Sequence, residues 1–179
     1  MIKLKETQTK LQIKKIRNLY KKSFPKFERK PFKVLLKLKQ NNVCDILTIT
    51  DDSDIFYGLV ITIKYRNLVL LDYFAITPEF RNQGIGSKSL KLIQELYNQS
   101  KLIIEIEDTA SNNAKNIINR IKRKDFYLKN NMNLQNFKIN LFGCDMEILT
   151  FNGDVCFEEY HEIFKAYFPL KFYKKIKLI

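Results

Sequence analysis

Apolar and polar positions follow two different periods along this chain. From Thr9 to Phe24, the residues Ile13, Ile16, Tyr20 and Phe24 recur every three to four positions and mark one face of an amphipathic helix. A loop bracketed by Pro25 and Pro31 follows, and Phe32 to Lys39 reads as a short second helix. The period then drops to two. Val43–Thr50 and Ile55–Tyr65 read as strands around the turn Asp51-Asp52-Ser53-Asp54, and Leu68–Ile76 as a third strand. Ser87 to Gln99 returns to helical spacing, with Leu90, Ile93 and Leu96 or Tyr97 facing inward. Leu102–Glu107 is a further strand, parallel to the one before it because a helix crosses between them. Asn112 to Lys124 reads as a helix. Leu134–Leu141 and Met146–Phe151 form a hairpin across Phe142-Gly143-Cys144-Asp145. Asp154 is placed to cap a last helix with Phe157, Tyr160, Phe164 and Tyr167 on one side. Antiparallel strands first, one central βαβ unit and a final hairpin predict an α/β fold built on a mixed, mostly antiparallel sheet.

Composition narrows this picture little. A chain of 179 residues with 45% hydrophobic content can bury a full core, and residues 1–179 are expected to form a single domain. No apolar run approaches a membrane span, and the basic start Met1-Ile2-Lys3-Leu4-Lys5 is not followed by the apolar stretch of a secretory signal. A cytoplasmic location without membrane partners is therefore expected. Cys44, Cys144 and Cys156 are scattered, and the single histidine, His161, completes no familiar metal spacing with them. Reduced thiols and no metal are the expectation, with His161 a packing or surface residue.

The net charge of +13 raises the question of nucleic acid. Lysine supplies 26 of the 32 basic residues, while Asn (16) and Ile (22) are also abundant. All three have A/T-rich codons, so a biased genome produces this composition without selection for a polyanion. Arginine, the better reader of phosphates and bases, occurs six times. Nucleic-acid binding is not expected, though a positive surface favours anionic small molecules.

Candidate chemistry concentrates after the third strand, in Thr77-Pro78-Glu79-Phe80-Arg81-Asn82-Gln83-Gly84-Ile85-Gly86-Ser87. Two of the chain's five glycines lie here, between a strand and a helix start. Such a loop aims backbone N–H groups at an anion, most often a phosphate. The ATP-type loop needs Gly-Lys-Ser/Thr, but Ser87 precedes Lys88-Ser89. The dinucleotide fingerprint needs a third glycine where Ser89 stands. The spacing that fits is Arg/Gln-x-x-Gly-x-Gly/Ala, met by Arg81, Gly84 and Gly86. This resembles the acetyl-CoA pyrophosphate loop of the GNAT superfamily of N-acetyltransferases. Downstream, Asp125-Phe126-Tyr127-Leu128-Lys129-Asn130-Asn131-Met132 is similar to the Phe-Tyr-x-x-x-Gly-Phe ending of that family, with Asn131 at the glycine position and Met132 at the phenylalanine. Asparagine is the best non-glycine residue for a left-handed backbone, and methionine still fills an apolar site.

The resemblance implies a GNAT-like mixed sheet with helices on both faces, and acetyl-CoA as co-substrate. It implies that Arg81, Asn82, Gln83, Gly84, Ile85, Gly86 and Ser87 hold the pyrophosphate. Phe74, Ala75 and Ile76 would offer backbone groups to the pantetheine arm, lying like an extra strand between those ending at Ile76 and Asp108. Asn113, with Asn112 beside it, would add a side-chain contact, although both are equally fit to cap a helix. Tyr127 takes the position of the tyrosine that protonates the departing thiolate. The residues themselves suggest the base. Alternation puts Ile103, Glu105 and Glu107 on one face of a central strand, where two carboxylates are costly unless that face opens on a cleft. Glu107 lies nearer the carboxyl end and is preferred, followed by Glu105 and Asp72. Phe24, Pro25, Phe27 and Tyr73 are candidates to line the acceptor pocket. The expected activity is direct acetyl transfer to a primary amine of a small molecule or peptide. A CoA-binding module without turnover, or a basic RNA- or ribosome-associated protein, are the alternatives. The apolar C-terminal segment 168–173 offers a contact surface for a dimer.

Overall fold

The structure, a computed structural model, describes residues 1–26, 28–110 and 116–179. In chain order its elements are β1 (Lys3–Glu6), α1 (Lys10–Ser23), α2 (Phe32–Gln40), β2 (Cys44–Thr50), β3 (Gly58–Tyr65), β4 (Leu68–Ile76), a short 3-10 turn (Pro78–Phe80), α3 (Ile85–Leu96), β5 (Lys101–Glu107), α4 (Ile117–Lys129), β6 (Asn133–Leu141), β7 (Cys144–Phe151), α5 (Phe157–Tyr167), α6 (Leu170–Tyr173) and β8 (Ile176–Leu178). The strands hydrogen-bond in the order β1-β2-β3-β4-β5-β7-β6-β8. Among the described residues one strand pair, β4 and β5, is parallel, and the sheet is mixed and mostly antiparallel, as the sequence predicts. No described helix is long and apolar enough to cross a membrane. The described residues group into two compact units, 1–64 with 71–96, and 65–70 with 97–179.

In the first unit, Thr9 caps α1 through a capping box. Its hydroxyl accepts from the Gln12 N–H, and the Gln12 side chain accepts from the Thr9 N–H, which satisfies two otherwise orphaned donors. The predicted face of α1 buries Ile16 and Tyr20, with Leu19 beside them, and α2 buries Leu35 and Leu38. β2 runs antiparallel to β3 from Cys44↔Ile63 to Ile49↔Gly58. β3 begins three residues later than the predicted Ile55, because Asp51 gathers the intervening turn. Its Oδ1 accepts from the Ser53 and Ile55 N–H groups, and its Oδ2 from the Tyr57 hydroxyl. β1 was not expected from its lysine-rich sequence. It is a four-residue strand paired, among the described residues, with β2 alone, and charged side chains suit such an edge.

In the second unit the parallel ladder runs from Leu68↔Lys101 to Leu70↔Ile103. β5 then continues antiparallel to β7, from Leu102↔Phe151 to Glu107↔Met146. Leu102, Ile103, Ile104 and Ile106 are all buried, the near-continuous apolar run of a strand covered on both faces. The hairpin of β6 and β7 turns on Phe142 and Gly143 alone, both with positive φ (54° and 91°), two residues tighter than predicted. Asp154 does not cap α5. Its carboxylate accepts from Gln135, while Cys156 is the N-cap and Glu159 closes the capping box onto the Cys156 N–H. His161 packs as expected, stacked on Phe157 at 5.1 Å with Nε2 2.9 Å from the Tyr173 carbonyl oxygen.

Candidate functional site

The glycine loop forms as predicted, but its helix starts earlier. α3 begins at Ile85, so Gly86 and Ser87 belong to its first turn. The N–H groups of a helix's first turn have no partner four residues back, and here they front the helix dipole. Lys88 N–H already bonds the Gly84 carbonyl, which leaves Ile85, Gly86 and Ser87 as the candidate anion donors. Asn82 (φ 61°) and Gly84 (φ 74°) take left-handed conformations that wind the chain into this turn, and an added Cβ on Gly84 would meet nothing within 4 Å. Arg81, Asn82, Gln83 and Gly84 are exposed. Gln83 ties the loop down by donating to the Glu79 carbonyl. Arg81 turns its Nε back to the Ile76 carbonyl at 3.1 Å, so the side chain braces the end of β4. These features fit a pyrophosphate: a preformed turn, open approach and the N–H groups of a helix's first turn.

The end of β4 changes character after Leu71. Leu68 to Leu71 are buried, whereas Phe74, Ala75 and Ile76 are half-buried. Gly58 lies against this segment so closely that a Cβ there would sit 2.3 Å from the Ala75 carbonyl oxygen. Next to it, Thr77 N–H donates to the Tyr57 carbonyl, and the Tyr57 ring meets Phe80 edge-on at 4.6 Å. The first residues of β3 and the turn before them therefore fix the backbone of Ala75 to Phe80.

On β5 both glutamates have partners. Glu107 is ion-paired with Arg120 (2.9 Å) and Arg123 (3.1 Å), and Asn116 donates to it as well. Glu105 accepts a 2.5 Å hydrogen bond from Tyr160, a fully buried hydroxyl on α5. Neighbouring Asp108 pairs with Lys138, and Glu147 with Lys124, so the carboxyl end of β5 is a dense lattice of charges.

Tyr127 lies on α4, which runs five residues beyond the predicted end at Lys124. The stop signal is a Schellman motif. Asn131 adopts φ 63°, its N–H donates to the Leu128 carbonyl, and Met132 N–H reaches the Tyr127 carbonyl. The left-handed Asn131 and the buried Met132 both match their expected parts. Burial pushes the Tyr127 hydroxyl up to about 12, with Arg123 opposing, so the phenol keeps its proton at neutral pH. Asn112, Asn113 and Phe27 lie outside the described residues.

Two candidates for the acceptor pocket do meet. Tyr73 contacts Phe24 at 4.9 Å and Tyr20 at 4.7 Å, both edge-on. Asp72, next to Tyr73 on β4, is ion-paired with Lys30 at 2.6 Å in a buried position. Sequence reasoning missed Lys30, one lysine among 26, and nothing in its local pattern marks it. An open groove of about 650 Å³, lined by Lys5, Thr9, Lys15, Thr48 and Phe56 among others, shares no residue with the glycine loop.

The model of the acetyltransferase (GNAT) family matches residues 13–118. No curated protein sequence matches the chain significantly. Among solved structures, a protein from Bacteroides thetaiotaomicron described as a GNAT-family acetyltransferase superposes with a TM-score of 0.71 at 17% identity, over 92% of this chain and 94% of that one. A spermidine N-acetyltransferase from Vibrio cholerae, in complex with CoA and spermine, gives 0.66 at 13% identity over 84% and 94%. The ribosomal-protein-S18-alanine N-acetyltransferase from Escherichia coli gives 0.62 at 16% identity over 88% and 97%. At these identities the likeness is one of fold.

Proposed function

The chain belongs to the acetyltransferase (GNAT) family, and on that premise we propose that it moves an acetyl group from acetyl-CoA directly to a primary amine. The observation that carries the reading is the loop from Arg81 to Ser87, a preformed anion cradle at the start of α3. In this reading the N–H groups of Ile85, Gly86 and Ser87 hold the pyrophosphate, and the half-buried backbone of Phe74 to Ile76 receives the pantetheine arm. A backbone N–H near Ile76 polarises the thioester carbonyl. Bound acetyl-CoA supplies the acyl group as a thioester. The amine nitrogen forms the new C–N bond as the C–S bond breaks and its electron pair passes to sulfur. Tyr127, neutral at physiological pH, gives the sulfur its proton. The proton lost by nitrogen passes to a carboxylate. Of the two on β5, Glu105 suits this role better, because both oxygens of Glu107 are already engaged by Arg120, Arg123 and Asn116. We take the reaction to be cytoplasmic and free of any metal.

The test is thermal stability with acetyl-CoA, free CoA and NADH. A ligand at 100 times its dissociation constant adds about 2.7 kcal/mol. A rise in Tm with both CoA species and none with NADH is the expected outcome. No rise at millimolar acetyl-CoA would reduce the Arg81–Ser87 segment to a turn.

A further inference from the structure

The positive charge is not spread along the chain. Residues 1–40 hold 14 basic and two acidic residues, whereas residues 41–179 hold 18 and 17. Codon bias acts on every stretch alike, so it accounts for the abundance of lysine but not for this imbalance. Almost the whole excess of +13 therefore belongs to the segment that forms β1, α1 and α2.

α1 is its centre. The helix carries Lys10, Lys14, Lys15, Arg17, Lys21 and Lys22 and no acidic residue. All six are exposed, and among the described residues none of them has an ion-pair partner. Elsewhere in the segment Lys3, Lys5, Lys30 and Lys39 each meet a carboxylate. Lys10, Lys14, Arg17 and Lys21 follow at intervals of four, three and four, which sets them in a single row along the helix. At 1.5 Å per residue the row is about 16 Å long. Lys15 and Lys22, seven positions apart, form a second row on the other side of Asn18. Like charges at such spacings repel one another and destabilise a helix. α1 holds despite them because Thr9 caps its start and Ile16, Leu19 and Tyr20 are buried on the opposite side. A polyanion lying along the rows would relieve the repulsion.

The character of this face selects among polyanions. Its one large exposed apolar residue is Leu11, because the other apolar side chains of α1 turn toward the core. A bilayer surface gains by apolar insertion, and a protein interface has an apolar centre; this face offers neither. A phosphate backbone asks only for cations and amide donors, and Asn18 stands between the two rows. Lysine is a point charge without the planar fork that reads a base edge, so a lysine-rich face suits backbone contact.

We propose that the outward face of α1 docks the phosphate backbone of a nucleic-acid duplex without regard to base sequence. This departs from the expectation drawn from whole-chain composition, because the location of charge, rather than its total, decides which surface attracts a polyanion. It uses none of the residues assigned to acetyl-CoA and stands apart from the acetyltransferase reading.

The experiment measures anisotropy of a fluorescein-labelled DNA duplex of about 20 base pairs with the full chain, in two unrelated sequences, from about 50 to 200 mM salt. Each neutralised phosphate contributes about −0.9 to the slope of log K against log salt, so the four-cation row predicts a slope of about −3.6 or steeper. The two sequences should bind alike. Lys14→Gln with Arg17→Gln and Lys21→Gln should make the slope shallower by about 2.7 and weaken binding at the lowest salt at least about tenfold. Lys171→Gln with Lys174→Gln and Lys175→Gln removes the same charge from another exposed segment and should leave slope and affinity near wild type. All six substitutions are at exposed positions, so both variants keep the fold. No binding at the lowest salt, a clear preference between the sequences, or equal losses in the two triple variants would each overturn the proposal. So would capture by vesicles of phosphatidylcholine and phosphatidylserine in equal parts, or by poly-glutamate, without capture by the duplex; the row would then belong to a bilayer or an acidic protein.

Discussion

Asp72 on β4 and Glu107 on β5 are both carboxylates set against cations, and they are furnished in opposite ways. Glu107 has both oxygens covered, by Arg120, Arg123 and Asn116, although its side chain is 14% exposed. Asp72 is buried more deeply, at 4%, yet its Oδ2 has no hydrogen-bond partner among the described residues. The comparison teaches that burial does not decide which carboxylate is available for chemistry. The number of donors aimed at its oxygens does. Burial pushes the Asp72 carboxyl above the usual range, and the Lys30 ammonium pulls it only partly back.

Removing Lys30 tests the contrast most severely. Lys30→Met leaves a buried carboxylate without its cation and should cost about 3–5 kcal/mol in urea denaturation. With the lysine gone, the folded-state pKa of Asp72 rises further above the unfolded value of about 3.9. A raised carboxyl destabilises the fold as pH climbs through that raised value, so the deficit against wild type should be full near neutrality and shrink as pH falls toward 4. A deficit equal at both ends of this range would contradict the burial argument. Glu107→Gln is the counterpart on β5. It should cost about 2 kcal/mol by loosening the two arginines. It should leave kcat within a factor of about three, where loss of a general base costs about 10²–10⁴. A rate loss of that larger size would return the base to Glu107. The gentlest change is Asn131→Gly, at the cap that ends α4 below Tyr127. Relief of a non-glycine residue at φ 63° should add up to about 1 kcal/mol, visible as a higher Tm. A loss instead would mean that the asparagine side chain itself holds the cap.

The sequence alone revealed features whose cause is local. The period-two runs of β2 to β7, the glycine turn and the left-handed Asn131 depend on residues within a few positions of one another. They were legible for that reason. The edge strands β1 and β8 were not, because Lys3-Leu4-Lys5-Glu6 and Ile176-Lys177-Leu178 are strands only by virtue of a neighbour to pair with. The end of α4, five residues beyond Lys124, was missed because propensity says little about where a helix stops until its cap is seen. At the site, residue types were readable but partnerships were not. Nothing local announces that Arg120 and Arg123 close on Glu107, or that Tyr160, 55 residues away, reaches Glu105. The Lys30–Asp72 pair spans 42 residues and lies beyond any spacing rule.

Gly58 carries a different kind of information. The Ala75 carbonyl oxygen occupies the space where its side chain would begin, and Ile49 Cδ1 stands 3.0 Å from the same point. A single methyl group at 58 would therefore act as a wedge, and the piece it drives outward is the strand tip that leads into the glycine loop. Most of the core would be untouched. Position 58 thus separates two kinds of fitness that usually fail together, keeping a folded chain and keeping a usable one. A library randomised at this codon and sorted first for expression, then for acetyl transfer, should lose alanine and serine only at the second gate.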